Sequence, residues 1–274
     1  MKSAGIIAAG WGERLGQKVP KALTLVAGKA LIDYTLDGLQ AAGIERVTCI
    51  VNESARAVPE HVARSGRKLE MDWIIQTTPS SMHSFLIVLE RLASFASPRP
   101  SPDGRGRSAA TGEVENFLIS TVDSICPPSA YRDFIRDSDL FKEADVSLGL
   151  TTHIDDEKPL RVAMRGEEGT GLMPARPQDN PEAFEIIAMT NTGFDSEYIT
   201  AGFYRANPRV LKEKEKVLAA NFTALRQYLG YLLKYGYRFY GVPLPPVIDV
   251  DRPQDVQAAE QMVRAHSGAP LQSK

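Results

Sequence analysis

Near the start of the chain, two cations suited to chemistry, Arg14 and Lys21, follow a glycine-containing turn. Gly10 and Gly12 carry no Cβ, so their backbone can adopt unusual dihedral angles and bring N–H groups close to an anion. The apolar run before them, residues 4–9, is typical of a strand buried on both faces of a parallel sheet. A buried strand, a glycine turn and two cations in this order predict a phosphate-binding loop.

Two well-known phosphate-binding loops do not fit this segment. The G-x-G-x-x-G fingerprint of dinucleotide-binding proteins ends in a glycine, where this chain has Leu15, and the Gly-Lys-Ser/Thr of a Walker A loop does not occur. The chain instead reads Ala-Ala-Gly-Trp-Gly-Glu-Arg at 8–14, Pro-Lys at 20–21 and Gly-Lys-Ala-Leu at 28–31. This string resembles the signature of nucleotidyltransferases of the molybdopterin-guanylyltransferase-like and sugar-1-phosphate class, although that class usually has proline at the position of Ala30.

The resemblance implies a binding site for a nucleoside triphosphate. Arg14 would hold the β- and γ-phosphates, and Lys21 the α-phosphate that is attacked. Backbone contacts to the base and phosphates would come from Ala8, Ala9, Gly10, Trp11 and Gly12. The family reads its base with a glutamine and residues after it, here Gln76 and Ser81, although the Gly-Thr that commonly follows is absent from this stretch. Alternatively, the two cations are solvated loop charges and Ser81 caps a helix.

A carboxylate ends a second apolar run. Residues 117–122 predict a buried strand, and Asp123 follows it directly. This position resembles that of the family aspartate that binds Mg²⁺ bridging the nucleotide phosphates, although Val122 replaces the small residue that the family commonly has. Mg²⁺ is usually held by one or two carboxylates with phosphate oxygens and water, so one aspartate supplies half of a site. The alternative is that Asp123 caps the helix after it.

The segment 249–255 reads Asp-Val-Asp-Arg-Pro-Gln-Asp and resembles the Asp-x-Asp-x-Pro-x-Asp that closes the family's domain. In that family a carboxylate of this segment completes the metal site. Asp251 is the favoured ligand and Asp249 the second, because alternate residues of a strand face the same side. Asp255 lies in the first turn of the last helix, where its charge suits the helix dipole, which indicates a structural role.

The acceptor pocket is expected around the string Ala-Gly-Phe-Tyr at 201–204. It resembles the strand that floors the acceptor pocket in these transferases. Gly202 would leave room for the acceptor or, equally, mark a β-bulge. Glu185 and Asn191 are further residues predicted to face this pocket.

Strands and helices alternate along the first half of the chain, which predicts parallel βαβ units in an α/β protein. The resemblance implies a three-layer, doubly wound and mostly parallel sheet of the Rossmann-like, GT-A type found in nucleotide-diphospho-sugar transferases. We expect one domain over residues 1–266, a disordered Pro-, Ser- and Gly-rich insertion at 97–115, and a frayed tail at 267–274. Residues 184–189 and 198–205 predict two strands about a turn. Predicted helices at 208–219 and 222–233 fit a lid, a subunit contact in a homo-oligomer or, as the default interpretation, intrachain core.

Composition narrows the class of protein. The formal net charge of −2 argues against binding to nucleic acid or to an anionic membrane. With 43% hydrophobic residues, the 274-residue chain can bury a sizeable core, and no apolar run approaches the roughly 20 residues of a membrane span. Two cysteines, Cys49 and Cys126, predict buried thiols in a reducing compartment, and the first strand begins too early for a signal peptide. We therefore expect a cytoplasmic protein.

Together these features predict a Mg²⁺-dependent nucleotidylyltransferase. It would transfer a nucleoside monophosphate from a nucleoside triphosphate to a small phosphorylated acceptor, a sugar 1-phosphate or phosphorylated alcohol, and release pyrophosphate. One alternative is a metal-dependent glycosyltransferase of the same broad fold, against which the Pro-Lys motif argues. The other is a non-catalytic nucleotide sensor, favoured by the departures at Val122 and by the missing Gly-Thr.

Overall fold

The computed structural model describes residues 1–96, 115–152, 159–167, 177–191 and 196–267. The predicted disordered insertion, apart from residue 115, and the predicted tail beyond residue 267 lie outside the described residues.

Strands and α-helices of the described chain are numbered in chain order. The strands are β1 Ser3–Ala8, β2 Leu25–Val26, β3 Lys29–Ala30, β4 Arg46–Val51, β5 Glu70–Ile75, β6 Phe117–Thr121, β7 Ser124–Ile125, β8 Val146–Thr151, β9 Arg161–Met164, β10 Ile186–Thr190, β11 Ile199–Ala206, β12 Phe239–Pro243 and β13 Ile248–Asp249. The helices are α1 Leu31–Ala41, α2 Ala57–Arg64, α3 Ser81–Ala96, α4 Ser129–Ser138, α5 Lys214–Ala219, α6 Leu225–Lys234 and α7 Pro253–Ser267.

The first half of the main sheet is parallel, in the order β6-β1-β4-β5. In β1, Ile6 pairs with Cys49 of β4 on one side and with Ser120 of β6 on the other. Both edges of β1 are thus paired and its residues from Ala4 to Ala8 are buried, which explains its continuous apolar run. The predicted βαβ arrangement of this half is confirmed.

The second half of the sheet is mixed. Strand β11 pairs antiparallel with β6 and β8, and β12 pairs parallel with β8. The sequence predicted that the strands now numbered β10 and β11 flank a turn, and the structure separates them: β9 lies between and pairs antiparallel with both. Both predicted strands are present, and their pairing through β9 is set by long-range packing, which adjacency along the chain does not indicate.

Helices cover the two faces of the sheet and give three layers. Helix α3 contacts β1, β4 and β6 and packs against α6, whereas α1 packs against α4. The connection from β1 through α1 to β4 crosses the sheet in the opposite direction to that from β5 through α3 to β6, so right-handed crossovers place α1 and α3 on opposite faces. The helix predicted at 208–219 is a 3₁₀ segment, Pro208–Glu213, followed by α5.

Close packing between α1 and α4 requires a glycine. A Cβ on Gly38 of α1 would lie 2.2 Å from the ring of Tyr131 on α4.

Among the described helices, none combines the length and apolarity needed to cross a bilayer.

The parallel strands also decide where chemistry can occur. Strands β1 and β6 are parallel neighbours, so the glycine loop after β1 and Asp123 after β6 emerge at the same edge of the sheet. Ligands of open α/β sheets bind at this edge.

Candidate active site

Lys21 is the buried cation of the site. It opens a 3₁₀ turn, Lys21–Leu23, and only 6% of its surface is exposed. The glycine loop packs on its side chain: Gly12 has a left-handed φ of 77°, and a Cβ there would lie 3.0 Å from Cβ of Lys21. Both requirements exclude a larger residue at Gly12, so the loop is shaped around the lysine stem.

Two aspartates from distant parts of the chain receive the Lys21 ammonium group. Lys21 Nζ donates hydrogen bonds to Asp123 Oδ2 and to Asp251 Oδ1. Arg14 adds a second cation, with Nη2 3.3 Å from Asp251 Oδ2. Burial alone would lower the pKa of Lys21, but the carboxylates of Asp123, Asp249 and Asp251 outweigh burial and raise this pKa above its ordinary value. Lys21 is therefore positively charged at neutral pH.

Three carboxylates form a candidate cation site. Asp123, Asp249 and Asp251 each offer an oxygen, and these oxygens all lie within 4.8 Å of one another. Asp123 Oδ1 is buried and has no hydrogen-bond partner within the described chain, which leaves a ligand atom available. An all-oxygen, carboxylate-rich set suits a hard cation such as Mg²⁺ rather than a thiolate- or imidazole-bound metal. The residues present therefore fit the metal that the sequence predicted.

The carboxylates differ in their electrostatic surroundings. Burial alone would raise the pKa of Asp123, but the Lys21 ammonium holds it below its usual value. Asp249 faces the cavity, and partial desolvation by the cavity walls together with the Asp123 charge raises its pKa well above the usual value. Asp249 therefore holds a proton more readily than Asp123 does.

Backbone contacts hold the two C-terminal carboxylates in place. Asp249 lies in β13, whose pairing with β7 sets it opposite Ser124. Asp251 lies beyond the end of β13, and its N–H donates to Asp255 Oδ2 at 2.9 Å. Asp255 Oδ2 also accepts from the N–H of Arg252 at 2.6 Å. Asp255, 4% exposed, is thus a cap for the last helix and an anchor for the turn that carries Asp251.

A cavity of about 660 Å³ opens from this cluster. Its lining includes all three aspartates and Arg14, together with Ser81, Gly202, Tyr204 and Arg226. The hydroxyl of Ser81 accepts a 3.3 Å hydrogen bond from the N–H of Leu225, which ties the start of α3 to the start of α6. Residues 8–12 do not line this cavity, and two of them, Gly10 and Gly12, lie beside the Lys21 side chain.

Gly202 lies on the cavity wall, and the sequence left open whether this glycine makes room for the acceptor or marks a β-bulge. Its φ is +74°, and it falls where the pairing of β11 with β8 shifts register, which is a β-bulge. A Cβ at this position would lie 2.2 Å from Ser124 Oγ and 2.4 Å from Thr121 Oγ1. Those hydroxyls, 2.8 Å apart and hydrogen-bonded to each other, already occupy the space. The register shift agrees with the bulge interpretation, and the acceptor role of Gly202 stays a prediction.

Three other predicted residues lie outside the cavity lining. The Glu185 carboxylate pairs with Arg165 at 2.7 Å. The amide of Asn191 donates to the carbonyl of Pro159 at 3.3 Å, and its side chain is exposed. Gln76 is also exposed, extending β5 by one backbone hydrogen bond.

The sequence interpretation missed two lining residues. Arg226 stands in an amphipathic helix with no motif around it, and Tyr204 entered only as part of a resembling string. The Tyr204 ring is buried with its edge against Phe85, 5.9 Å between centroids. Burial and the charges of Asp123 and Asp249 raise its pKa, so its phenol stays protonated at neutral pH. Only the folded arrangement brings these two side chains to the carboxylates.

Comparison with known proteins places this site in a family. The sequence profile described as "MobA-like NTP transferase domain" matches residues 4–148, more than half of the chain. The chain belongs to the MobA-like NTP transferase family. This match includes the glycine loop, Lys21 and Asp123. The predicted family is confirmed.

Curated relatives agree with membership of the MobA-like NTP transferase family. The bifunctional protein GlmU of Listeria monocytogenes is 32% identical over 231 residues, which cover 79% of this chain and 46% of GlmU. The CMP-5'-(3-aminopropyl)phosphonate synthase of Streptomyces rubellomurinus is 31% identical over 84 residues, 30% of this chain and 13% of that protein. The chain spans about half the length, or less, of these relatives.

Solved structures confirm the fold of this MobA-like transferase. The inositol-1-phosphate CTP transferase from T. maritima superposes with a TM-score of 0.68 at 21% identity, over 99% of this chain and 98% of that one. HddC from Yersinia pseudotuberculosis gives 0.66 at 15% identity, over 96% and 100% of the two chains. At such identities the likeness shows the α/β, Rossmann-like fold alone.

Proposed function

We propose that this chain is a Mg²⁺-dependent nucleotidylyltransferase. It transfers a nucleoside monophosphate from a nucleoside triphosphate to a small phosphorylated acceptor, a sugar 1-phosphate or phosphorylated alcohol, and releases pyrophosphate. One observation carries the proposal: Lys21, Asp123 and Asp251, far apart in sequence, meet at the end of a cavity.

The reaction requires charge neutralisation more than covalent catalysis. An oxygen of the acceptor attacks the α-phosphorus in line, the bond to the bridging oxygen breaks, and pyrophosphate leaves. Two polyanions must approach each other, so cations have to offset the charge that builds on the non-bridging and leaving oxygens. Lys21 is assigned to the α-phosphate and Arg14 to the β- and γ-phosphates. The N–H groups of residues 8–12 are assigned to the base and phosphates.

The carboxylates are assigned to the metal. Asp123 and Asp251 would hold Mg²⁺ with Asp249 as a further ligand, supported by the short distances between their oxygens and by the unpartnered Asp123 Oδ1. When bound, Mg²⁺ would supply positive charge that offsets the negative charge developing on the transferred group. The aspartates would then hold the positive charge of the ion at a fixed place relative to the phosphate-binding loop.

Support for a phosphorylated acceptor comes from the remaining cavity wall. Arg226 and the phenol of Tyr204 offer N–H and O–H donors there, as a phosphate requires. A transferase of this fold from T. maritima is named for inositol 1-phosphate, a phosphorylated alcohol, which is compatible with this class of acceptor.

Organisation and location follow as part of the same proposal. We assign residues 1–266 to one domain. The cytoplasm is the proposed compartment, because it supplies nucleoside triphosphates and keeps thiols such as Cys49 and Cys126, both free in the structure, reduced.

The test is a product analysis with the four nucleoside triphosphates, Mg²⁺ and a panel of phosphorylated acceptors. We expect pyrophosphate as the product. Lys21→Ala should retain metal binding and lose turnover by about 10²–10³-fold, the usual cost of one preorganised charge-stabilising donor. Lys18→Ala, at an exposed lysine three positions earlier in the loop, is the matched control and should retain turnover.

Other outcomes would contradict the proposal. Unchanged pyrophosphate release in Lys21→Ala would refute the assigned chemistry. Release of a nucleoside diphosphate from a nucleotide sugar would identify a glycosyltransferase. Tight triphosphate binding with no turnover across the panel would identify a nucleotide sensor.

A further inference from the structure

The ammonium group of Lys21 contacts two of the carboxylates assigned to the metal. It donates to Asp123 Oδ2 and Asp251 Oδ1, and its side chain is 7% exposed. We propose that Lys21 occupies the cation position in the metal-free protein and that a divalent ion binds only by displacing it. This inference rests on the proposed function, because it concerns the same carboxylates and the same lysine.

The charge balance of the cluster supports such an exchange. Three carboxylates face two cations, Lys21 and Arg14, and Asp249 forms no ion pair within the part of the chain that is described. Without Lys21, Asp123 would be a partly buried carboxylate with no cation beside it, which is costly. The lysine therefore stabilises the cluster, while the carboxyl oxygens of Asp249 remain available as ligands of a divalent ion.

Lysine and metal cannot share these carboxylates. A divalent ion bound to Asp123 and Asp251 would lie beside the ammonium that already donates to both, and like charges at that distance repel strongly. Lys21 has a flexible four-carbon stem, so its ammonium can leave while its backbone stays in the 3₁₀ turn. An anionic partner for the released ammonium arrives with the nucleotide phosphates. Metal and nucleotide are therefore expected to bind cooperatively, and metal alone weakly.

The test measures metal binding without nucleotide or acceptor. Free Mn²⁺ is followed by electron paramagnetic resonance during titration of the wild-type chain, Lys21→Met and Lys18→Met. Methionine keeps the length of the stem and removes the charge. We expect Lys21→Met to bind Mn²⁺ at least about tenfold more tightly than wild type, because two charge-assisted hydrogen bonds no longer compete. Lys18→Met, at an exposed position, should match wild type.

A second measurement uses the unaltered protein. Acetic anhydride modifies accessible amines, and mass spectrometry compares Lys21 with Lys18. Lys21 should be protected in chelator and become reactive with Mn²⁺ alone, while Lys18 reacts equally in both. Unchanged or weaker Mn²⁺ binding by a folded Lys21→Met, or unchanged Lys21 labelling, would overturn the exchange.

Neither measurement needs turnover, so failure of the proposed function and failure of the exchange are distinguishable. Tighter Mn²⁺ binding by Lys21→Met without any transferase activity keeps the exchange and rejects the enzyme. Pyrophosphate release by wild type, together with unchanged Mn²⁺ affinity in Lys21→Met, keeps the enzyme and rejects the exchange.

Discussion

Gly202→Ala should destabilise the protein and disturb the metal carboxylates together. The new methyl group would meet Ser124 Oγ at 2.2 Å and Thr121 Oγ1 at 2.4 Å, in a backbone with φ +74°. The left-handed backbone costs about 1–2 kcal/mol for a residue with a Cβ, and overpacking adds about 1–3 kcal/mol. The sum of roughly 2–5 kcal/mol corresponds to a Tm decrease of about 5–15 °C at this chain length. Because Ser124 pairs with Asp249, metal affinity should fall as well.

Gly28→Ala is the matched control for this change. Gly28 has a φ of +79° and no atom within 4 Å of the place that a Cβ would take, so alanine there carries the backbone cost alone, about 1–2 kcal/mol. Calorimetry of both variants separates the cost of the left-handed backbone from the cost of the overlap with the hydroxyls. The double variant Gly202→Ala, Ser124→Ala should recover part of the stability lost in Gly202→Ala. Equal losses in Gly202→Ala and Gly28→Ala would refute the packing argument.

Three further predictions concern the surrounding structure. Gly38→Ala should cost about 1–3 kcal/mol by calorimetry, because its Cβ would lie 2.2 Å from a buried tyrosine ring; Gly230→Ala, in a helix with open space, should cost nothing. Asp72→Asn should lower the free energy of unfolding, measured in urea, above about pH 4 and should match wild type in acid. The reason is that the Arg91 guanidinium lowers the pKa of Asp72, so the ionised carboxylate stabilises the folded state. This stabilisation is lost as the pH falls through the lowered pKa. Equal losses at all pH values would contradict this. Asp255→Ala should cost about 1–2 kcal/mol and weaken Mn²⁺ binding, whereas Asp255→Asn, which keeps an acceptor oxygen, should cost less.

Local patterns in the sequence were sufficient for the parallel half of the fold. The apolar run at 117–122 predicted a buried strand, and β6 spans Phe117–Thr121, because a strand that is buried on both faces is apolar at most positions. In the structure, the loops after the parallel neighbours β1 and β6 emerge together at one edge. The catalytic and metal-binding roles of Lys21 and Asp123 stay predictions.

Non-local contacts account for what the sequence did not reveal. Glu185 pairs with Arg165 across the antiparallel strands, a partner that no local spacing indicates. Gly202 needs the hydroxyls of another loop to explain it. Arg226 joins the cavity only because α6 packs on α3. All three features depend on contacts between segments that are distant in sequence, and local patterns do not reveal such contacts.

The most direct test of the central claim is the fate of radiolabel from the nucleotide. With Mg²⁺ and a phosphorylated acceptor, label at the α-phosphate should appear in the nucleotide conjugate and label at the γ-phosphate in pyrophosphate, and both should be lost in Asp123→Asn. Label from the γ-position in free orthophosphate, or transfer undiminished in Asp123→Asn, would contradict a nucleotidyl transfer built on Lys21 and these carboxylates.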